Sequence, residues 1–158
     1  MAIAGQNSEI PFYKLTGPEI VTGISGKSEE LIRDFFKGVQ EKAPAIVFID
    51  ELDSIAGKRE NAQKDLEVRI VAQIASCMDE ISQSQKQVVV IGCTSRPETI
   101  DSGLRRAGRF EREVNIGVPN EEQRIEIMKI LTKGMRLKAE FPFEQMVRLT
   151  PGYVGADI

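Results

Sequence analysis

The chain has 158 residues, 41% hydrophobic and 28% charged, with a net charge of −3 and no histidine. That length carries one domain with a real core, and the near-balanced charge gives no global pull toward nucleic acid or an anionic membrane. No apolar run approaches the roughly 20 residues of a membrane span, the start "MAIAGQNSEI" lacks the pattern of a secretion signal, and the missing histidine removes His-based triads and His-ligated metals.

In chain order, residues 11–16 (PFYKLT) predict a short strand and PEIV a helical turn. SEELIRDFFKGVQEK carries Leu31, Ile32, Phe35, Phe36 and Val39 on one helical face, with Ser28 as N-cap and Glu29 and Glu30 in the first turn. Ala43-Pro44 stops it. Ala45 to Ile49 is an apolar run without alternation, the pattern of a strand covered on both faces. Residues 64–82 predict a long helix burying Leu66, Ile70, Ile74, Cys77, Met78 and Ile81. QVVVIGC reads as a second buried strand and REVNIGV as a shorter, half-polar one. Asn120 caps the amphipathic helix NEEQRIEIMKILTKGM. FEQMVRLTPGYVGADI begins one helix, turns at Pro151-Gly152 and starts another. Strands alternating with helices predict an α/β domain with a mainly parallel sheet. From about residue 119 the pattern is helical only. Cys77 and Cys93 have no CxxC or histidine company and read as buried free thiols, a disulfide being the lesser alternative.

Three stretches carry chemistry. Gly26-Lys27-Ser28 ends like a phosphate-binding loop, but G-x-x-x-x-G-K-[S/T] demands glycine at position 21, which is Val21. A helical turn precedes it where a buried strand is required, so it reads as a glycine-bracketed turn. IVFIDE delivers Asp50 and Glu51 at the carboxyl end of a buried strand, where open α/β sheets bind ligands. Asp50 suits Mg2+, held largely through water, and Glu51 suits a water-polarising base. Acids also merely end strands, so this pair alone leaves both readings open. SGLRRAGRFERE gathers Arg105, Arg106, Arg109 and Arg112 around Gly108. Such a cluster is usually a solvated face. Here Gly108 and Phe110 break any helix and aim the guanidiniums outward together, as needed to neutralise a transferring phosphoryl group, a role worth about 10³–10⁵ in rate.

With these residues in place the sequence resembles the AAA family of ATPases over essentially its whole length. APAIVFIDELDSIAGKRE, VRIVAQIASCMDE, VVVIGCTSRPETIDSGLRRAGRFEREVNIGVP and LTPGYVGADI match in order and spacing. Within the family, KDLEVRIVAQ, CMDE and LTPGYVGAD are most similar to the first ATPase module of the nuclear type in the valosin-containing-protein group, with the general unfoldase of that group as rival. The resemblance implies a three-layer sandwich with a parallel sheet at 1–118, lacking its first strand and P-loop, which would lie before residue 1. An incomplete helical lid would follow at 119–158. It implies ATP and Mg2+ as cofactors, Asp50 and Glu51 as the Walker B pair with Asp50 on the metal, and Arg106 and Arg109 as fingers reaching a neighbour's ATP in a homo-hexamer. Ser95 falls at sensor 1, where the family carries asparagine; its shorter hydroxyl would reach a water from farther back. Gly155 and Ala156 would open the lid helix near the adenine. Gly23, Ile24, Ser25 and Gly26 would form a pore loop gripping a protein substrate.

In the family sheet order 5-1-4-3-2, strand 1 is the one lacking, so the strand at 88–93 is expected beside a vacancy with 112–116 beyond it. The implied work is remodelling or unfolding of protein complexes, pre-ribosomal particles among them. It would be nuclear, even nucleolar, with the cytoplasm as second choice. No membrane and no sequence-specific nucleic-acid contact is implied. The alternative is a shortened, non-catalytic interaction module. A helicase or clamp loader shares the Asp-Glu pair, but no basic stripe with interleaved aromatics supports one.

Overall fold

The computed structural model describes residues 9–20, 26–56, 64–138 and 140–158. The chain divides into two compact units, Met1–Glu113 and Val114–Ile158. The first is an α/β unit of three parallel strands: β1 (Phe12–Thr16), β2 (Ala45–Asp50) and β3 (Val88–Gly92), in the order β1-β2-β3. Helix α1 (Gly17–Ile20) follows β1, α2 (Lys27–Glu41) leads to β2, and α3 (Asp53–Ala56) and α4 (Lys64–Gln83) connect β2 to β3.

The register sets which residues share a face. Tyr13 pairs with Val47 and Leu15 with Ile49, while Val47 pairs with Val90 and Ala45 with Val88. This face packs under α2 and α4, where Ile32, Phe36, Val39, Ile70, Ile74 and Cys77 are almost wholly buried. Each large apolar side chain buried so contributes about 1.5–3 kcal/mol. The opposite face carries Phe12, Lys14, Ile46, Phe48, Val89 and Ile91. There Val89 is 58% and Ile91 39% exposed. The unalternating run in β2 therefore buries in alternation, and among the described residues helices cover one face of the sheet.

Other expectations change locally. The helix after Gly26 begins at Lys27, because Gly26 turns at φ +86° and its carbonyl accepts from Glu30 N at 3.1 Å. Ser28 thus lies inside the first turn, fully buried, and is not the cap. Residues 112–118 form no strand; Val114 and Ile116 are 82% and 90% exposed. A strand needs a ladder partner, and among the described residues the outer edge of β3 pairs with none. Both thiols are free, but Cys93 is exposed; only Cys77 is buried.

The second unit holds α5 (Glu121–Leu131) and α6 (Phe143–Arg148). Asn120 and Gln123 form a reciprocal capping box at the start of α5, with bonds of 2.8 and 2.9 Å. Buried Arg124 donates to the carbonyls of Pro119 (3.0 Å) and Val147 (3.3 Å), stitching α5 to α6. Residues 154–157 form a single turn, with Val154 N bonded to Asp157 Oδ2 at 3.0 Å and Asp157 N to Val154 O at 2.9 Å. These are the bonds of a helix's first turn, and no further helix follows among the described residues.

Candidate functional site

β2 carries Asp50 and Glu51 to the carboxyl end of the sheet. Asp50 lies on the half-open face, with its Oδ2 3.5 Å from Lys14 Nζ and its Oδ1 accepting from Glu51 N at 3.1 Å. Glu51 is exposed and adopts φ +51°, a left-handed conformation that costs a non-glycine residue about 1–3 kcal/mol and concentrates at functional sites. Two contacts hold it there. Ser54 N donates to Glu51 O and Leu52 N to Cys93 O, each at 2.9 Å. Gly17, at the start of α1, lies against the same turn: a Cβ there would meet Ser54 Oγ at 1.9 Å and Glu51 O at 2.5 Å. Only glycine lets α1 approach so closely.

The end of β3 is tied to this turn. Cys93 N donates to Ile49 O at 2.8 Å, extending the ladder past Gly92. Asp53, which opens α3 and is 8% exposed, then takes Thr94 Oγ1 on one oxygen (2.8 Å) and Arg96 Nε and Nη2 on the other (3.0 and 2.7 Å). Burial works to raise the Asp53 pKa, but the bonds from Arg96 and Thr94 outweigh it and hold the carboxyl below its usual value. Ser95, between those two tethered residues, is exposed, and its side chain makes no hydrogen bond among the described residues. The structure thus brings Asp50, Glu51 and the Ser95 loop to one end of the sheet.

The arginines do not point outward together. Arg109 turns inward, with Nε and Nη2 on the two oxygens of Asp79 in α4 (2.9 and 2.8 Å) and Nη1 on the carbonyl of Gly103. A forked pair of this kind satisfies the planar guanidinium within the chain. Its hydrogen bonds lower the Asp79 pKa and raise that of Arg109. Arg105 bonds Glu113 at 2.6 Å. Arg106 is exposed and its side chain has no hydrogen bond or ion pair among the described residues. Phe110 anchors the loop on Gly92, where an added Cβ would meet its ring at 3.0 Å.

Gly23, Ile24 and Ser25 lie outside the described residues; Gly26 is exposed at the mouth of α2. The Gly-Lys-Ser segment follows a helical turn, α1, and its serine is buried, so it offers no phosphate cradle. Gly155 and Ala156 are exposed in the terminal turn of the second unit.

Asp53, Thr94, Arg96, Asp79, Lys14 and Gly17 were not singled out from sequence. A signal existed for some of them: Asp53 follows Asp50 by three residues, and Thr94 and Arg96 bracket Ser95 just after a strand. Nothing in the linear order pairs Asp79 with Arg109.

The donor chemistry at β2 fits a hydrated Mg2+. The ion takes one or two carboxylates and fills its remaining positions with water and phosphate oxygens. Among the described residues no cluster of three or more metal-ligating side chains occurs; the residues that would hold such an ion are Asp50 with Glu51 adjacent. A carboxylate pair on a strained turn thus stands at the carboxyl end of a parallel sheet, where open α/β sheets bind ligands.

Residues 1–118 match the model of the ATPase family associated with various cellular activities, and the chain belongs to this AAA family. Its relatives lie in the valosin-containing-protein and Cdc48 group. It is 49% identical to a nuclear valosin-containing protein-like protein of Mus musculus, over 99% of this chain and 18% of the relative. It is 44% identical to a ribosome biogenesis ATPase of Saccharomyces cerevisiae, over 99% and 19%. It is 45% identical to a cell division control protein 48 homolog of Arabidopsis thaliana, over 99% and 20%. The chain spans about a fifth of the length of these relatives.

Proposed function

We propose that this chain is part of an ATP-driven motor that couples Mg-ATP hydrolysis to remodelling of protein complexes, in the nucleus and on pre-ribosomal particles. The observation that carries the reading is the Asp50-Glu51 turn, with Glu51 at φ +51° and bonded across to the end of β3. Bound Mg2+ would neutralise phosphate charge. Asp50 would hold its water shell, and Glu51, exposed beside it, would orient and polarise the attacking water. Ser95 would hydrogen-bond that water from the neighbouring loop. Arg106 would reach a neighbouring subunit's nucleotide, and Arg109 would do so on leaving Asp79. Head-to-tail subunits of that kind close into a ring, a homo-hexamer here, with residues 23–26 lining its channel. Gly155 and Ala156 would sit near the adenine. The names of the Mus musculus and Saccharomyces cerevisiae relatives support the nuclear and ribosomal setting.

Residues 1–158 alone should bind nucleotide weakly and hydrolyse none, because most phosphate contacts come from a P-loop and Gly26-Lys27-Ser28, with Val21 at the first glycine position, is not one. The same observation favours the second reading, a module that meets partners without nucleotide. Titration of a fluorescent ATP analogue with Mg2+, against this chain and against the full-length protein, separates the two. The motor reading expects binding only in the longer protein, with turnover there abolished by Glu51→Gln. Binding in neither supports the second reading.

A further inference from the structure

We infer that Asp53 is a positioning residue: it clamps Thr94 and Arg96 and thereby sets where Ser95 stands relative to Glu51. The inference rests on the proposed role of Ser95 and goes beyond it. Both chain neighbours of Ser95 bind one carboxylate, Thr94 through Oγ1 at 2.8 Å and Arg96 through Nε and Nη2 at 3.0 and 2.7 Å. Thr94 Oγ1 also accepts from Arg96 N at 3.0 Å, which closes a ring of bonds around the backbone of Ser95. Ser95's own hydroxyl contributes nothing to that ring, so the loop's position is set by its neighbours and the hydroxyl is left to the site. Asp53 belongs to the turn that carries Glu51, and Leu52 N on Cys93 O (2.9 Å) ties the same two segments a second time. A buried carboxylate with both oxygens engaged holds its partners tightly, because releasing any one leaves a poorly solvated charge. A misplacement of about 1 Å at such a loop costs about 100-fold in rate.

The test uses the full-length protein, with Asp53→Asn, Thr94→Val and Ser95→Ala singly and in pairs with Ser95→Ala, and Glu51→Gln as reference. Asp53→Asn is expected to lower kcat about 10-fold or more while the Kd for Mg-ATP moves less than about twofold. In the Ser95→Ala background the same substitution should cost less than about threefold, because its effect passes through Ser95. Exchange of the Arg96 amide should quicken in both clamp variants. If Asp53→Asn does not fold, Thr94→Val, which removes the donor to Asp53 and the acceptor of Arg96 N at nearly constant volume, decides through kcat and its coupling to Ser95→Ala. Multiplicative losses with Ser95→Ala, an equal loss of Mg-ATP affinity, or an unchanged Arg96 amide overturns the inference. So does a silent Ser95→Ala beside a dead Glu51→Gln, which leaves the ATPase reading standing. Full turnover in Glu51→Gln removes that reading itself, and this inference with it.

Discussion

Gly17 and Gly38 make opposite demands on a methyl group. A Cβ at Gly17 would press on Ser54 Oγ at 1.9 Å and on the Glu51 carbonyl at 2.5 Å, and a backbone oxygen does not swing aside. Gly17→Ala should therefore cost about 1–3 kcal/mol by urea denaturation. A Cβ at Gly38, inside α2, meets nothing within 4 Å. Gly38→Ala should instead add about 0.5–1 kcal/mol in the same assay. The two arginines also divide. Arg109→Ala and Asp79→Asn should each lower Tm, and the double variant should lose little more than either, because one forked pair accounts for both. Arg106→Ala should leave Tm unchanged. The pair also sets a pH dependence. Asp79 and Asp53 have folded-state pKa values below their unfolded ones. Their stabilisation is fully present above the unfolded value of about 4 and is lost as pH falls below it toward the folded values. Acid unfolding of Asp79→Asn should accordingly be shallower in that window.

At the scale of elements, local signals and long-range pairing behaved differently. Asn120 satisfies two backbone groups at the start of α5 with bonds made entirely to residues three positions away. Asn120→Ala should cost about 1 kcal/mol, read as lost helicity and earlier melting of the second unit. Residues 112–118 had the apolar spacing of a strand, yet form none and stay exposed. Spacing states which side a strand would bury, whereas the strand itself exists only if a neighbour's backbone accepts its hydrogen bonds. The outer edge of β3 meets that need for no segment among the described residues.

At the scale of the molecule, the second face of the sheet stays partly open among the described residues. Val89 and Ile91 stand 58% and 39% exposed on the side of Phe12, Ile46 and Phe48, with no charge in β3 to discourage association. Residues 1–158 should bind a hydrophobic dye and self-associate with rising concentration. Ile91→Lys should reduce both, measured by dye fluorescence and light scattering, while circular dichroism stays unchanged because the side chain does not face α2 and α4. Unchanged dye binding would place the responsible surface elsewhere.

The sequence alone determined the α/β class, strands at 11–16, 45–49 and 87–93 that lie within a residue of those observed, the long helix over 64–82 and the delivery of Asp50 and Glu51 at a strand end. These follow from periodicity and from caps within a few residues, which linear order records directly. Tertiary structure decided what spans many residues: that Arg109 faces Asp79, 30 positions away, and that Asp53 gathers Thr94 and Arg96, 41 and 43 positions away. It also decided which face of an unalternating strand is buried, and that Gly17 is the only residue type its site admits. Such choices depend on which surfaces meet and which charges find partners once the sheet has formed, and no local pattern in the chain encodes that.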